Sequence, residues 1–367
     1  MILNTLTYIV WDPAKEMFRL PFNDHPIVWY GLLFAMGFIL GQQLMFYIFN
    51  AENKPKQDVE TLTLYMVIAT VVGARLGHCL FYDPAYYLSN PLSILKVWEG
   101  GLASHGAAVG ILTGIYLYSR KKSGQSYFWV VDRVVIIVAL AGALIRFGNF
   151  INSEIVGLAT DSSSGVVFAR SMEELASSAE FVSSAEASKA PASADTLGYT
   201  APVELTLEFT PGVAPPLIEG YLNNQFSSIL SRLSAAEEPH IKANTGPLAY
   251  RIVPASGGTT VAQVIVEGNP RHPAQLYESI SCFLLFLGLL FLWNRKKQHT
   301  PEGLIFGVFL IVVFGLRFVY EFLKENQVDF EDNIPLNMGQ WLSIPLVVAG
   351  IVILVRVMSK KNQGTGS

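Results

Sequence analysis

The sequence predicts an all-α polytopic membrane protein, with seven transmembrane helices and a small extracytoplasmic mixed insert between helices four and five. Three observations carry this. Of 367 residues, 51% are hydrophobic and only 15% charged, against about 25% charged in soluble domains. Mean hydropathy is +0.39. Seven stretches are long and apolar enough for a bilayer core, which needs roughly 20 residues per helix: 27–49, 60–82, 101–119, 127–150, 274–293, 302–323 and 338–358.

Residues 1–26 contain Asp12, Lys15, Glu16, Arg19, Asn23, Asp24 and Pro26. They lack the basic start, apolar centre and small-residue site of a signal peptide, and are expected to form an outer interfacial segment. Residues 27–157 carry helices one to four and 270–358 carry helices five to seven. Between them, 158–269 form the insert. Its first part, 158–195, is rich in Ser and Ala, including Ser162, Ser163, Ser164, Ser177, Ser178, Ser183, Ser184 and Ser188. So little apolar material predicts a flexible tract. Further on, the alternation from Val203 to Phe209 and the apolar run Val261 to Val266 predict strands, and 217–233 a helix. Residues 359–367 form a tail.

Orientation follows from short connections, where Lys and Arg collect on the cytoplasmic side. Lys54 and Lys56, then Arg120, Lys121 and Lys122, then Arg295, Lys296 and Lys297, then Lys360 and Lys361 follow alternate spans. The C-terminus is therefore expected in the cytoplasm, with the N-terminus and the insert outside. Net charge is −4, so no basic excess asks for nucleic acid. Two cysteines, Cys79 and Cys282, sit in apolar runs and read as inert packing residues. No metal or cofactor is expected.

This orientation gives each intramembrane polar residue a depth. Tyr30, Arg75, His78, His105, Arg146, Asn149, Tyr277, Glu278, Arg317, Glu321 and Gln340 all fall towards the outer ends of their spans. Ionisable groups in a span are costly and mark function. Three guanidiniums at similar depth, Arg75, Arg146 and Arg317, would repel one another without a shared anion. Their planar forks suit phosphate, which predicts a phosphorylated lipid ligand. His105, among Gly100, Gly101, Gly106 and Ala107, can take up a proton near neutrality. Asp132 and Arg133 are adjacent, do not share a helix face, and read as interfacial rather than as an internal ion pair.

The motifs that carry a resemblance are Arg146-Phe147-Gly148-Asn149-Phe150-Ile151-Asn152-Ser153-Glu154 followed by Gly157, Trp29-Tyr30-Gly31, Gly73-Ala74-Arg75-Leu76-Gly77 and Gly100 to Gly106. Others are Arg271-His272-Pro273-Ala274-Gln275-Leu276-Tyr277-Glu278, Arg317 with Glu321-Phe322, and Met338 to Pro345. In these the chain resembles the prolipoprotein diacylglyceryl transferases of bacterial inner membranes. The resemblance implies transfer of the diacylglyceryl group of phosphatidylglycerol to the lipobox cysteine of a prolipoprotein, with glycerol phosphate released. It implies His105, Arg146, Arg317 and Glu154 as catalytic, His105 receiving the thiol proton and the arginines meeting the phosphate. Asn149, Asn152, Gly157, Tyr30, Arg75, Gln275, Tyr277, Glu321 and Gln340 would join Arg146 in holding substrate. Where many relatives carry a tyrosine one turn before the arginine of span six, this chain has Val313, which shifts weight to His105. The alternative left open by the residues is a membrane transporter for an anionic solute, since buried arginines also mark conduction paths.

Overall fold

The computed structural model describes residues 8–162, 164–191, 199–236, 239–243, 246–255, 258–324 and 335–364. In chain order the elements begin with strands β1 (Ile9–Trp11), β2 (Glu16–Arg19) and β3 (Pro26–Val28). Helices α1 (Trp29–Ala51), α2 (Gln57–Phe81), α3 (Pro84–Ser89), α4 (Ser104–Ser119) and α5 (Tyr127–Asn152) follow. Next come β4 (Val166–Phe168), α6 (Arg170–Ala176), β5 (Val182–Lys189), β6 (Pro202–Phe209), α7 (Pro215–Gly220), α8 (Ser227–Ser234), β7 (Ala249–Pro254) and β8 (Thr260–Glu267). Helices α9 (Ala274–Lys296), α10 (Leu304–Tyr320) and α11 (Met338–Gly364) close the chain. These elements form two compact units. One comprises Met1–Gly31, Arg146–Tyr277 and Val319–Asn337, the other Leu32–Ile145, Glu278–Phe318 and Met338–Ser367.

Among the described residues six helices, α1, α2, α5, α9, α10 and α11, are long and apolar enough to cross a membrane. Their exposed faces are apolar at helical spacing: Leu64, Ile68, Val72, Leu76 and Leu80 on α2, and Ile280, Leu284, Leu287 and Phe291 on α9. Water would not tolerate such stripes, and the chain is a multi-pass membrane protein. The expected third span is the shorter α4, whose 16 residues reach about 24 Å at 1.5 Å per residue.

Glycines set the contact between α2 and α4. A Cβ on Gly73 would lie 2.5 Å from the Gly106 carbonyl oxygen, and one on Gly77 2.6 Å from the Gly106 Cα. A Cβ on Gly110 would meet the Ala69 carbonyl oxygen more closely still. Small residues every fourth position on both helices thus let the backbones touch, the arrangement that holds helices together where lipid offers no hydrophobic drive.

The other tie in this unit is polar. Glu52, just past α1, is 3% exposed and Arg133 is fully buried. The Glu52 carboxylate accepts from Arg133 Nη2 at 2.9 Å, from Trp129 Nε1 at 2.9 Å and from Trp293 Nε1 at 2.5 Å. One carboxylate therefore binds α5 twice and α9 once. Asp132 accepts from the Gly303 and Phe306 amides, each at 2.8 Å, capping α10. The expectation that Asp132 and Arg133 form no internal ion pair is corrected for Arg133: both residues are buried, and Arg133 pairs with a carboxylate that lies 81 residues away and leaves no local signal.

The unit that holds the insert is built on a four-stranded antiparallel sheet, order β5-β6-β8-β7. Val203, Leu205, Leu207 and Phe209 alternate inward on β6 and are fully buried against Leu222, Phe226, Leu230 and Leu233. The sheets correct the all-α expectation. So does the N-terminal segment, where β2 pairs with β3 and β1 runs parallel to β4, Trp11 opposite Phe168. Trp11 also stacks on Phe150 at 4.3 Å and donates from Nε1 to its carbonyl at 2.9 Å. The tract expected to be flexible carries β4, α6 and β5. Ala185 and Ala187 supply the packed face of β5, and a full antiparallel ladder to β6 satisfies its backbone. Residues 163 and 192–195 of that tract lie outside the described residues.

Two outcomes are expected. Glu52→Ala leaves Arg133 buried without its charge partner and should cost about 3 to 5 kcal/mol, read as a lower unfolding midpoint of the solubilised protein. Glu52→Leu with Arg133→Met should recover much of it. In the insert, burial and a hydrogen bond with Asp12 push the Glu173 carboxyl from 4.5 up to about 8. The folded state thus holds this proton more tightly than the unfolded chain, so its stabilisation is complete below about pH 4.5 and is lost as pH rises through about 8. The difference in unfolding midpoint between wild type and Glu173→Gln should therefore change across that window. A constant difference would contradict the assignment.

Candidate active site

The polar cluster begins where α5 stops. After Asn152 the chain places Ser153 and Ile155 both at φ 57°, a left-handed conformation unfavourable for a β-branched residue. The turn returns Glu154 over the helix end, where its amide donates to the Asn149 carbonyl at 3.0 Å. A carboxylate at a helix C-terminus is opposed by the macrodipole, yet two amides hold it there. Asn149 Nδ2 donates to Glu154 Oε2 at 3.2 Å and Asn152 Nδ2 to Oε1 at 3.1 Å. Gln275, 1% exposed, donates from Nε2 to the Glu154 carbonyl at 2.5 Å. Backbone strain held by side-chain bonds is the kind that clusters at functional sites.

Tyr30 lies on Gly148, where a Cβ would stand 2.9 Å from its Cδ2. Its hydroxyl is within electrostatic range of both Glu154 and Arg146. The structure therefore brings together Tyr30, Arg146, Asn149, Asn152, Glu154 and Gln275.

Gly157 has a different task. Its amide donates to the His272 carbonyl at 2.9 Å, and the next amide, of Leu158, to the Leu323 carbonyl at 2.7 Å. A Cβ would stand 2.7 Å from both of those oxygens, so glycine is required by the meeting of three backbones rather than by a ligand. Buried Arg271 seals the same seam, Nε donating to the Gly157 carbonyl at 2.8 Å and Nη1 to that of Pro239 at 3.1 Å. Tyr277 Oη is 3.3 Å from His272 Nδ1. Glu321 accepts from Lys324 Nζ at 3.4 Å and Asn337 Nδ2 at 3.2 Å.

Arg75, His105, Arg317 and Gln340 belong to the other unit. Arg75 is 3% exposed and donates to the carbonyls of Ile94 at 2.9 Å, Ser93 at 2.6 Å and Gly100 at 2.5 Å. Its charge is directed at a loop, not held open for a phosphate. The loop's end needs Gly101 at φ 71°, where a Cβ would lie 2.5 Å from the His78 ring. His105 opens α4 and is exposed, its ring edge-on to Phe81 at 5.0 Å and stacked with Tyr82 at 6.0 Å. Arg317 is exposed near the end of α10. Gln340 is buried, with Nε2 3.4 Å from the Phe318 carbonyl.

A family profile described as prolipoprotein diacylglyceryl transferase matches residues 16–356. The chain belongs to the prolipoprotein diacylglyceryl transferase family. It is similar to the phosphatidylglycerol–prolipoprotein diacylglyceryl transferase of Chloroherpeton thalassium, 36% identical and covering 96% of this chain and 95% of that protein. The enzymes of the same name from Tolumonas auensis and Porphyromonas gingivalis are 36% and 34% identical, again over 96% of this chain. The matched span takes in the candidate residues of both units of this family member.

Sequence reasoning missed the structural use of Arg75, because carbonyl acceptors carry no side-chain signature. Arg75→Ala is expected to raise hydrogen exchange across residues 93–101, while Arg146→Ala leaves that segment unchanged. Equal exchange in the Arg75 variant would return Arg75 to the candidate ligand set.

Proposed function

We propose that this chain transfers the diacylglyceryl group of phosphatidylglycerol to the lipobox cysteine thiol of a prolipoprotein, forming a thioether and releasing glycerol phosphate. The observation that carries the proposal is the family match along nearly the whole chain, in a protein whose exposed helix faces are apolar. Family membership favours this reading over transport of an anionic solute.

In the proposed reaction His105 accepts the thiol proton, since the thiolate is the competent nucleophile. Its exposed ring beside Phe81 and Tyr82 leaves it accessible. The sulfur attacks the glyceryl carbon bonded to phosphate, that C–O bond breaks, and both electrons leave with the phosphate oxygen. Arg146 and Arg317 offset the charge gained as the diester becomes a monoester. Glu154, held by Asn149 and Asn152, receives the glycerol hydroxyls of the headgroup, with Tyr30 closing the same cluster. Gln275 fixes the Glu154 backbone, Gly157, Tyr277 and Glu321 shape the surroundings of that cluster, and Gln340 those of Arg317 in the other unit. Arg75 acts as a positioning residue for the loop before His105. The reading includes seven crossings, with α4 as the third, N-terminus and insert in the periplasm, C-terminus in the cytoplasm, and the bacterial inner membrane as the site of work.

The test is release of glycerol phosphate from phosphatidylglycerol in vesicles, with and without a lipobox peptide. Arg146→Ala and His105→Ala should each lower peptide-dependent release at least about 100-fold. Cys79→Ala and Cys282→Ala should keep it. Robust turnover without His105 would reject the proton-acceptor role.

A further inference from the structure

A cavity of about 200 Å³ lies in the unit that carries the insert, lined by Lys15, Asn152, Ser153, Phe168, Arg170, Ser171, Glu174 and His240. Among the described residues, five buried polar atoms of this lining have no hydrogen-bond partner: Asn152 Oδ1, Ser153 Oγ, Arg170 Nη1, Ser171 Oγ and His240 Nδ1. Buried polar groups left in this state are rare and costly, and these five all belong to residues that line one space. They come from three separate parts of the chain, so chance along one helix face does not explain them.

The chemistry is directional. Arg170 is fixed by its other nitrogen, Nη2 donating to the Pro13 carbonyl at 2.7 Å and the Ile151 carbonyl at 2.9 Å, while Nη1 has no protein partner. Lys15 adds a second cation and Glu174 a single acid, so the lining is net positive. Two hydroxyls and a guanidinium N–H pair offer donors suited to an anionic oxygen. Burial and the neighbouring Arg271 push His240 down to about 4, leaving its imidazole neutral at neutral pH. Asn152 Oδ1 offers an acceptor for a hydroxyl. The same Asn152 holds Glu154 Oε1 through Nδ2, so one side chain belongs both to the cavity lining and to the support of the candidate catalytic carboxylate. The volume equals about six or seven waters at ~30 Å³ each, more than a single bridging water needs.

We infer that this cavity is a binding site for a small phosphate monoester bearing a hydroxyl, and that glycerol phosphate is its occupant. The phosphate meets Arg170, Lys15, Ser153 and Ser171, and a glycerol hydroxyl donates to Asn152 Oδ1. That this ligand is the reaction's own product rests on the function proposed above; the site's capacity for a phosphate monoester does not. Occupancy fixes the Asn152 amide and so ties product level to the Glu154 carboxylate.

The experiment uses the full chain in detergent, titrated calorimetrically with glycerol phosphate and, separately, with inorganic phosphate. Glycerol phosphate should bind saturably and more tightly than inorganic phosphate. Arg170→Gln should weaken it about tenfold or more, the loss of one charge-assisted bond. Lys15→Gln, on an exposed side chain, should weaken it in the same direction and provides a variant whose folding is not at stake. In the vesicle assay, added glycerol phosphate should inhibit wild type at the concentrations that bind, and inhibit both variants less, with uninhibited rates unchanged. Absence of saturable binding, or equal binding by wild type and both variants, overturns the site and leaves the cavity to water. Equal affinity for inorganic phosphate overturns the glycerol phosphate assignment. Binding that persists in a chain without transferase activity upholds the site and overturns only its link to the reaction.

Discussion

A charged side chain carried on helices that face hydrocarbon must find its partner inside the protein, and Glu52 shows how far that requirement shapes the fold. Its carboxylate sits at the end of α1 and accepts from Arg133 and Trp129 of α5 and from Trp293 of α9. Each bond lies in surroundings where an unpaired charge would cost several kcal/mol. Three helices distant in sequence are fixed to one another by one residue. Asp132 extends the arrangement by capping α10 through two backbone amides. The glycine contact of α2 with α4 supplies what these polar ties do not, close backbone packing without any charge.

The same requirement sorts the polar residues of the candidate site. Arg75 is matched by the carbonyls of a loop and Arg271 by those of a seam; both have their charge taken up by backbone acceptors. Glu154 is different. Its place at the C-terminal end of α5 is electrostatically unfavourable and is flanked by two left-handed residues, Ser153 and Ile155, yet two asparagines hold it there. A geometry that costs energy and is held by dedicated side chains fits reacting groups better than packing does.

Much of this was legible in the sequence. Apolar runs located the crossing helices within a few residues, because composition over some 20 residues is a strong signal in a bilayer. The cluster of Arg146, Asn149, Asn152 and Glu154 was legible because its members lie within about two helical turns and the turn that follows, where spacing dictates neighbourhood. Strand β6 was visible in its alternation and β8 in its apolar run. What was not legible depended on distance along the chain or on backbone partners. Glu52 and Arg133 are 81 residues apart, Gly157 meets carbonyls from two other segments, and β5 is held by pairing with β6 rather than by an apolar pattern of its own. The short strands before α1 gain their order the same way, β1 against β4 and β2 against β3.

The central claim is that this arrangement delivers a lipid-derived group to a thiol supplied by the substrate. Its most direct test is mass spectrometry of a lipobox peptide after incubation with the purified chain in vesicles. With phosphatidylglycerol, the peptide should gain the mass of one diacylglyceryl group on its cysteine, and a cysteine-to-serine peptide should gain nothing. An unmodified cysteine, under conditions where another diacylglyceryl transferase modifies it, would contradict the account.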